Sequence, residues 1–331
     1  MGLISILDDA DALAALFAEC RRDEFPGWDD HPLFGDFSRR LYPLVGTGDP
    51  AHIPCPFAVL DDDTPLLLSS ATCNGTEIGW YGLPMTMAVR AELGKKRRKK
   101  VFAAAFDHLQ GIAEKSGAGQ ARIVGGQNHQ PLGEIDLACL DRLAQPSLRI
   151  HAIVDAAAGE TELHRNLRDS YRSLVNWGRE QLSMVYVNAD NPDSDLFQRF
   201  PAFHAEISGQ RKDHAYWQVF WQQVESGRGE VSLGFLDDGA LVSATMVADA
   251  GTTAYYTSGV YDRSRFDKPL GHFPVFDAMV RAGGRGISRF DLGEIVPRTA
   301  DADDKEVQIG FFKKGFTADF ALINIWTVRT G

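Results

Sequence analysis

The chain has 331 residues, 44% of them apolar and 24% charged, with a formal net charge of −11. At roughly 100–200 residues per domain this length predicts two domains, and the composition excludes a disordered chain. The acidity opposes nonspecific attraction to DNA or other nucleic acid, to anionic membranes and to acidic carrier proteins, although a local basic patch overrides such an average.

The first segment, MGLISILDDADALAALFAEC, carries Asp8, Asp9 and Asp11 and no early basic residues, so it is read as a helix (Leu13, Leu16, Phe17, Cys20 on one face) and not as a secretory signal. Ile6 stands where myristoylation needs Ser or Thr. No run of about 18 apolar residues predicts a membrane span. Cys20, Cys55, Cys73 and Cys139 form no C-x-x-C pair, which argues against a zinc site or disulfide framework and for reduced thiols in a cytoplasmic protein. FAVLDD (57–62) and LLLSSATC (66–73) read as strands, and Asn74-Gly75 turns into TEIGWYGLP (76–84). A basic loop then leads into a helix with Phe102, Phe106, Leu109 and Ile112 inward, followed by a strand at 120–126. The helical period is lost over 145–160, which is read as a linker.

The second half opens with one amphipathic helix, 161–182. Leu163, Leu167, Tyr171, Leu174 and Trp177 face one way; Arg165, Arg168, Arg172 and Arg179 face the other, as a solvated face or an anion-binding surface. A strand (183–188), a helix strained by Pro201 and a helix around Trp217 and Phe220 follow. Three strands, 230–236, 240–248 and 252–260, are joined by Asp-Asp-Gly and Asp-Ala-Gly turns, a signal for antiparallel hairpins. The chain continues with a polar loop (261–269), a helix (270–282), a strand (287–293) and a final strand (319–330). Helix, antiparallel meander, cationic loop, helix, strand: residues 1–150 and 151–331 repeat this order, a duplication of architecture.

That order is the order of the GNAT acyltransferase fold. The strings SYRSLVNWGRE (170–180), YYTSGVYD (255–262), KPLGHFPVFDAMVRAGGRGISRFDLGE (268–294) and FFKKGF (311–316) resemble the Fem-type aminoacyl/acyltransferase family and its tandem-GNAT relatives. The resemblance covers 160–331 well; YGLPM (81–85) is its main echo in the first half. It implies an α/β (α+β) protein of two tandem GNAT-like domains, each a mostly antiparallel mixed sheet flanked by helices, with a cleft between. It also implies metal-free transfer of an acyl group to an amine of a small molecule, amino sugar, peptide or cell-envelope precursor. The donor implied is an acyl thioester, acyl-CoA or acyl carrier protein. An aminoacyl-tRNA donor is the alternative, disfavoured by the net charge and by the absence of heptads for a coiled-coil arm. A scaffold that has lost its chemistry and only binds is the third reading.

Acyl transfer to an amine requires that the amine lose a proton, that an oxyanion be stabilised and that donor phosphates be held. In the GNAT fold phosphates sit at the N-terminus of the helix after the meander, where free N–H groups favour anions. The matching segment here is Arg265–His272, with Arg265, Lys268 and Gly271 as candidates, and it departs from the family's Gly-rich pattern. In the first half Gly94 precedes six consecutive basic residues, so Gly94, Lys95 and Lys96 are candidates too; cations at a helix N-terminus oppose its dipole unless an anion joins them. Lys313 resembles the family lysine that contacts phosphate or developing charge, with Phe311, Phe312 and Phe316 expected as core anchors and Gly315 as a sharp turn. Glu294 is a candidate base or amine-orienting carboxylate, His272 a candidate base, and Asp291 structural. His204 and Arg211 resemble a family segment near the cleft.

Overall fold

The computed structural model describes residues 4–20, 23–25, 36–45, 52–127, 132–265, 267–299 and 303–330. In chain order the elements are β1 (Ile4–Leu7), α1 (Ala10–Glu19), α2 (Asp36–Val45), β2 (Ile53–Pro54), β3 (Phe57–Asp61), β4 (Thr64–Ser70), β5 (Thr72–Cys73), β6 (Glu77–Gly79), β7 (Thr86–Val89), α3 (Lys95–Ser116), β8 (Gln120–Gln127), α4 (Glu134–Leu140) and β9 (Gln145–Asp155). There follow α5 (Glu160–Asn166), α6 (Asp169–Gln181), β10 (Ser183–Val187), α7 (Ser194–Ser208), α8 (His214–Glu225), β11 (Gly229–Phe235), β12 (Leu241–Ala250), β13 (Thr253–Tyr261), α9 (His272–Gly284), β14 (Arg289–Glu294), α10 (Asp304–Lys313) and β15 (Asp319–Arg329). The chain forms two compact units, Met1–Arg149 with Leu322–Gly331, and Ile150–Ala321.

In the first unit, β1, β3, β4 and β7 form an antiparallel sheet in that order, and β8 lies between antiparallel β15 and parallel β6. The long helix α3 lays Val101, Phe102, Ala105, Phe106, Leu109 and Ala113 into a core with Phe57, Leu67, Ile78, Ile123 and Trp326, as its 3.6-residue stripe requires. One buried carboxylate organises this core. Asp136 of α4 accepts from the backbone N–H of Gly126 (3.1 Å) and Gly133 (2.8 Å), from Asn324 Nδ2 (3.2 Å) and from Trp326 Nε1 (2.7 Å). Gly125 has no room for a Cβ, which would lie 2.2 Å from Asp136 Oδ1.

In the second unit β10 to β13 form the expected antiparallel meander, β13 joins β14 in parallel, and β14 pairs antiparallel with β9. The core gathers Leu163, Tyr171, Val175, Phe273, Phe276, Met279, Phe290 and Phe316. Helix α6 approaches α9 closely because Gly178 leaves its place to Phe273, whose Cβ is 2.4 Å from where a side chain would begin.

Four sequence expectations need correction. The opening segment is not helical throughout: Ile4–Leu7 pairs with β3, and α1 starts only after Asp9, whose side chain caps it. A short strand, β7, follows the turn at 80–83 and pairs with β4. The stretch 145–160 does contain the junction of the two units, at Arg149–Ile150, but it is not an irregular linker: it holds the eleven-residue strand β9, whose Ile150, Ile153 and Val154 suit a strand. The helix read over 161–182 breaks at Leu167 and Arg168, which are extended. The freed groups find partners: Arg168 N–H donates to the Gly315 carbonyl (2.9 Å) and Arg172 to the Arg165 carbonyl (2.7 Å). The arginine face is laced with ion pairs, Arg165–Glu162, Arg172–Asp169 and Arg179–Glu160.

A second buried acid, Glu230 of β11, is held by Arg281, by Arg285 and by Asn188 Nδ2 (2.9 Å), while Arg285 also grips Asp249 (2.9 Å). Beside it Asp277 is pushed up to about 6, chiefly by burial, against the pull of Tyr186 and Arg281. Its Oδ2 has no hydrogen-bond partner among the described residues.

Two stability outcomes follow from these acids. Asp136→Ala strands several buried donors, and urea unfolding of the full chain is expected to show a loss of about 2–4 kcal/mol. Asp277 holds its proton more tightly folded than unfolded, so folding weakens as pH rises from about 4 to about 6 and the penalty is full above that. Asp277→Asn removes it: the melting temperature rises at neutral pH, by the equivalent of about 1–3 kcal/mol, and the gain disappears below about pH 4. Thermal scans of both proteins across this range decide it.

Candidate functional site

The site is built where two neighbouring strands part. β13 and β14 share only three register pairs, ending at Tyr255↔Asp291. Beyond them β13 bulges at Thr257, its register against β12 slipping between Met246↔Ser258 and Val247↔Tyr256. β14 bulges at Leu292, where Asp291↔Ile153 is followed by Gly293↔Ala152. Such bulges bend a strand and re-aim its side chains. At the parting, Gly293 has φ +89°, and a Cβ there would sit 2.9 Å from Lys313 Nζ and 3.1 Å from Tyr255 Oη. Glycine is thus needed for both conformation and space.

Lys313, the last residue of α10, donates from Nζ to the Glu294 carbonyl oxygen at 3.0 Å. Burial pushes its pKa down, and Asp291 and Glu294 oppose that by favouring the charged form. Asp291 is itself buried, accepting from Gly293 N–H (2.7 Å) and lying 3.0 Å from His151 Nδ1.

The lysine is placed by the loop that follows it. A Cβ at Gly315 would lie 1.9 Å from Tyr171 Cε2, and the Tyr171 hydroxyl donates to the Phe312 carbonyl (3.2 Å). Gly315 therefore serves the close approach of a ring and not a left-handed turn. Phe316 is buried and Phe312 half-buried, as anchors should be, but Phe311 is 55% exposed with the Arg168 guanidinium 4.2 Å above its ring. Lys314 is exposed at the end of α10.

The other sequence candidates distribute as follows. Glu294 ends β14 and is joined to Lys313 through its carbonyl. His272 starts α9, its ring edge-on to Tyr171 (4.5 Å between centroids) and to Phe312 (5.3 Å); burial lowers its pKa, and its Nδ1 has no hydrogen-bond partner among the described residues. It thus packs in the same aromatic cluster that carries Lys313. Gly271 caps α9, and a Cβ on it would meet the Tyr261 ring at 3.0–3.2 Å. Arg265 is paired with Asp238 (3.1 Å) and Asp262 (3.4 Å), and Lys268 with Asp267 (3.1 Å), so a phosphate at this loop has to compete with three carboxylates. Gly94, Lys95 and Lys96 belong to the first unit, exposed at the start of α3. His204 stacks edge-on between Phe200 and Trp217, and Arg211 lines an open groove of about 560 Å³ with Lys212 and Trp217.

Tyr171, Gly293, Tyr255 and His151 were not singled out as site residues from sequence. The Gly of F-D-L-G carried a signal, in that a glycine ending an apolar strand marks a bulge or close approach. His151 lay in the presumed linker and had none.

No protein-family model matches the sequence, and neither does any curated protein. Among solved structures the chain is similar to that of FemX, with 13% identity over 97% of this chain and 96% of that one and a TM-score of 0.61. It is similar to L-PGS from Bacillus licheniformis (11% identity, 96% and 91% covered, TM-score 0.58). It also resembles the C-terminal domain of a putative lysylphosphatidylglycerol synthetase from Agrobacterium fabrum (15% identity, 79% and 81% covered, TM-score 0.53). At these identities the likeness is one of fold: with its antiparallel meanders, parting strands and flanking helices, the chain has the GNAT/Fem-type fold that its sequence strings resemble.

Proposed function

We propose that the protein is an acyltransferase that moves an acyl group from a thioester, acyl-CoA or an acyl carrier protein, to an amine of a small molecule, amino sugar or cell-envelope precursor. One observation carries this reading: a half-buried lysine, Lys313, fixed by main chain and flanked by two acids at the point where β13 and β14 part. The acceptor amine adds to the thioester carbonyl, forming a C–N bond and a tetrahedral oxyanion. In this reading Lys313 stabilises that charge, and the Glu294 carboxylate takes the proton lost by the amine. Collapse breaks the C–S bond, and the thiolate leaves with a proton. His272 packs the aromatic cluster in this reading and touches no reacting atom.

A second reading, an aminoacyl donor, draws support from the fold likeness to FemX and to a lysylphosphatidylglycerol synthetase along most of the chain. The same lysine serves an ester carbonyl equally well, and the charge of −11 weighs against tRNA. A scaffold without chemistry has no use for a buried lysine supported in this way.

Melting the protein with a panel of acyl-CoAs and aminoacyl-tRNAs identifies the donor, because a ligand that binds only the folded state raises the melting temperature. With the donor in hand, Lys313→Ala is expected to fold normally by circular dichroism and to lose at least about a hundredfold in kcat/KM, the equivalent of one oxyanion donor. Lys314→Ala loses far less. Equal and mild losses in the two variants refute the assignment.

A further inference from the structure

We propose that the first unit carries a docking surface for an anionic lipid bilayer, formed by the outer side of α4 and the turn after it and flanked by the basic start of α3. This goes beyond the acyl-transfer reading and does not depend on it.

Helix α4 buries Asp136 and Cys139 and turns Leu137 and Leu140 outward, 48% and 43% exposed. It ends with Leu143 N–H donating to the Leu140 carbonyl (3.0 Å) and Ala144 N–H to the Cys139 carbonyl (3.1 Å). Leu143 itself has φ +55° and is 91% exposed. That is the helix-ending position at which glycine is usual. Leucine is disfavoured there twice, by a left-handed backbone and by exposure to water. Strain kept at a surface position points to something that the side chain touches. Leu132 and Leu148 are exposed close by in sequence. Five of the ten exposed large apolar side chains among the described residues thus fall within 132–148, and all five are leucines. Scattered exposed apolar residues need no explanation; such a concentration does.

Ion pairs tie the basic cluster to this element. Arg98 pairs with Glu134 (2.9 Å) at the first residue of α4, Lys99 with Asp141 (3.1 Å) just past its end, and Arg142 returns to Asp107 of α3 (3.1 Å). Lys95, Lys96 and Lys100 are exposed and have no ion pair among the described residues. The first turn of α3 contains no acid; Arg97 and Arg98 are relieved from outside it by Asp61 and Glu134, while Lys95 and Lys96 stand unpaired among the described residues at the positive end of the helix. Anions arriving from outside relieve them.

A lipid headgroup layer uses both features. Leucines reach the acyl boundary while lysines meet phosphates, each basic residue near such a surface being worth roughly a fivefold gain in binding. A second copy of the chain fits less well, because a two-fold contact through the leucines brings like lysines to the same rim. Nucleic acid makes no use of the leucines. The net charge of −11 repels an anionic bilayer from the rest of the chain, so this face alone is presented.

The test is co-sedimentation of the full chain with extruded vesicles, of phosphatidylcholine alone or with roughly a third phosphatidylglycerol, at low salt and at about 0.5 M salt. Binding is expected to the anionic vesicles only, and to be released by salt. Leu143→Gly combined with Leu140→Ser is expected to lower the partition coefficient at least about tenfold with the melting temperature maintained, since glycine suits the left-handed backbone. Lys95→Gln, Lys96→Gln and Lys100→Gln together are expected to lower it at least about tenfold as well. No binding, equal binding to both vesicle types, or full binding by either variant overturns the proposal. So does sedimentation velocity that shows a dimer lost in Leu143→Gly without any vesicle binding, which assigns the face to a second copy.

Discussion

The ring of Tyr171 and the bare Cα of Gly315 are pressed so closely together that only glycine fits, and the placement of the candidate catalytic lysine follows from this contact. It has a cost upstream. The chain gives up a continuous helix at Leu167–Arg168, and the Arg168 N–H released there is spent on the Gly315 carbonyl, stitching the start of α6 to the loop after α10. Phe312, Phe316 and His272 close around the ring. Two lysines adjacent in sequence therefore meet different fates. Lys313 is drawn toward the parting strands, while Lys314 is left in water.

Acids buried in the two units act through the donors around them. Asp136 is surrounded by backbone and side-chain N–H groups and needs no cation, whereas Glu230 is held by Arg281 of α9 and by Arg285, which caps that helix. Asp291 is intermediate: it fixes the bulge of β14 through Gly293 N–H, contacts His151 and lends its charge to Lys313. Burial favours the neutral form of Lys313, and the carboxylates of Asp291 and Glu294 oppose it by favouring the ammonium.

Much of this was legible in the sequence because the meander of the second unit follows local rules: β-rich runs, Asp-Gly turns and an apolar stripe on α9 each report their own geometry. What local rules do not report was misread. β9 lacks clean alternation, since its first residues are exposed and its later ones are buried almost continuously, and it passed for a linker. The break between α5 and α6 depends on a carbonyl almost 150 residues downstream. The strings around Glu294 and Lys313 pointed to two residues that do meet, but Tyr171 and Gly293 gain their significance only from what lies opposite. At 265–268 the acids that neutralise the loop stand beside its cations in the chain itself, Asp262 pairing with Arg265 and Asp267 with Lys268.

Because β15 pairs with β8, and Asn324 and Trp326 reach Asp136, the first unit is assembled from residues more than 170 positions apart in the chain. During synthesis its N-terminal elements emerge first, yet the buried carboxylate at their centre lacks two of its donors until β15 has left the ribosome. The intervening unit, contiguous in sequence, can close earlier. The half made first is thus the half finished last, and the nascent chain must carry it incomplete until translation reaches β15.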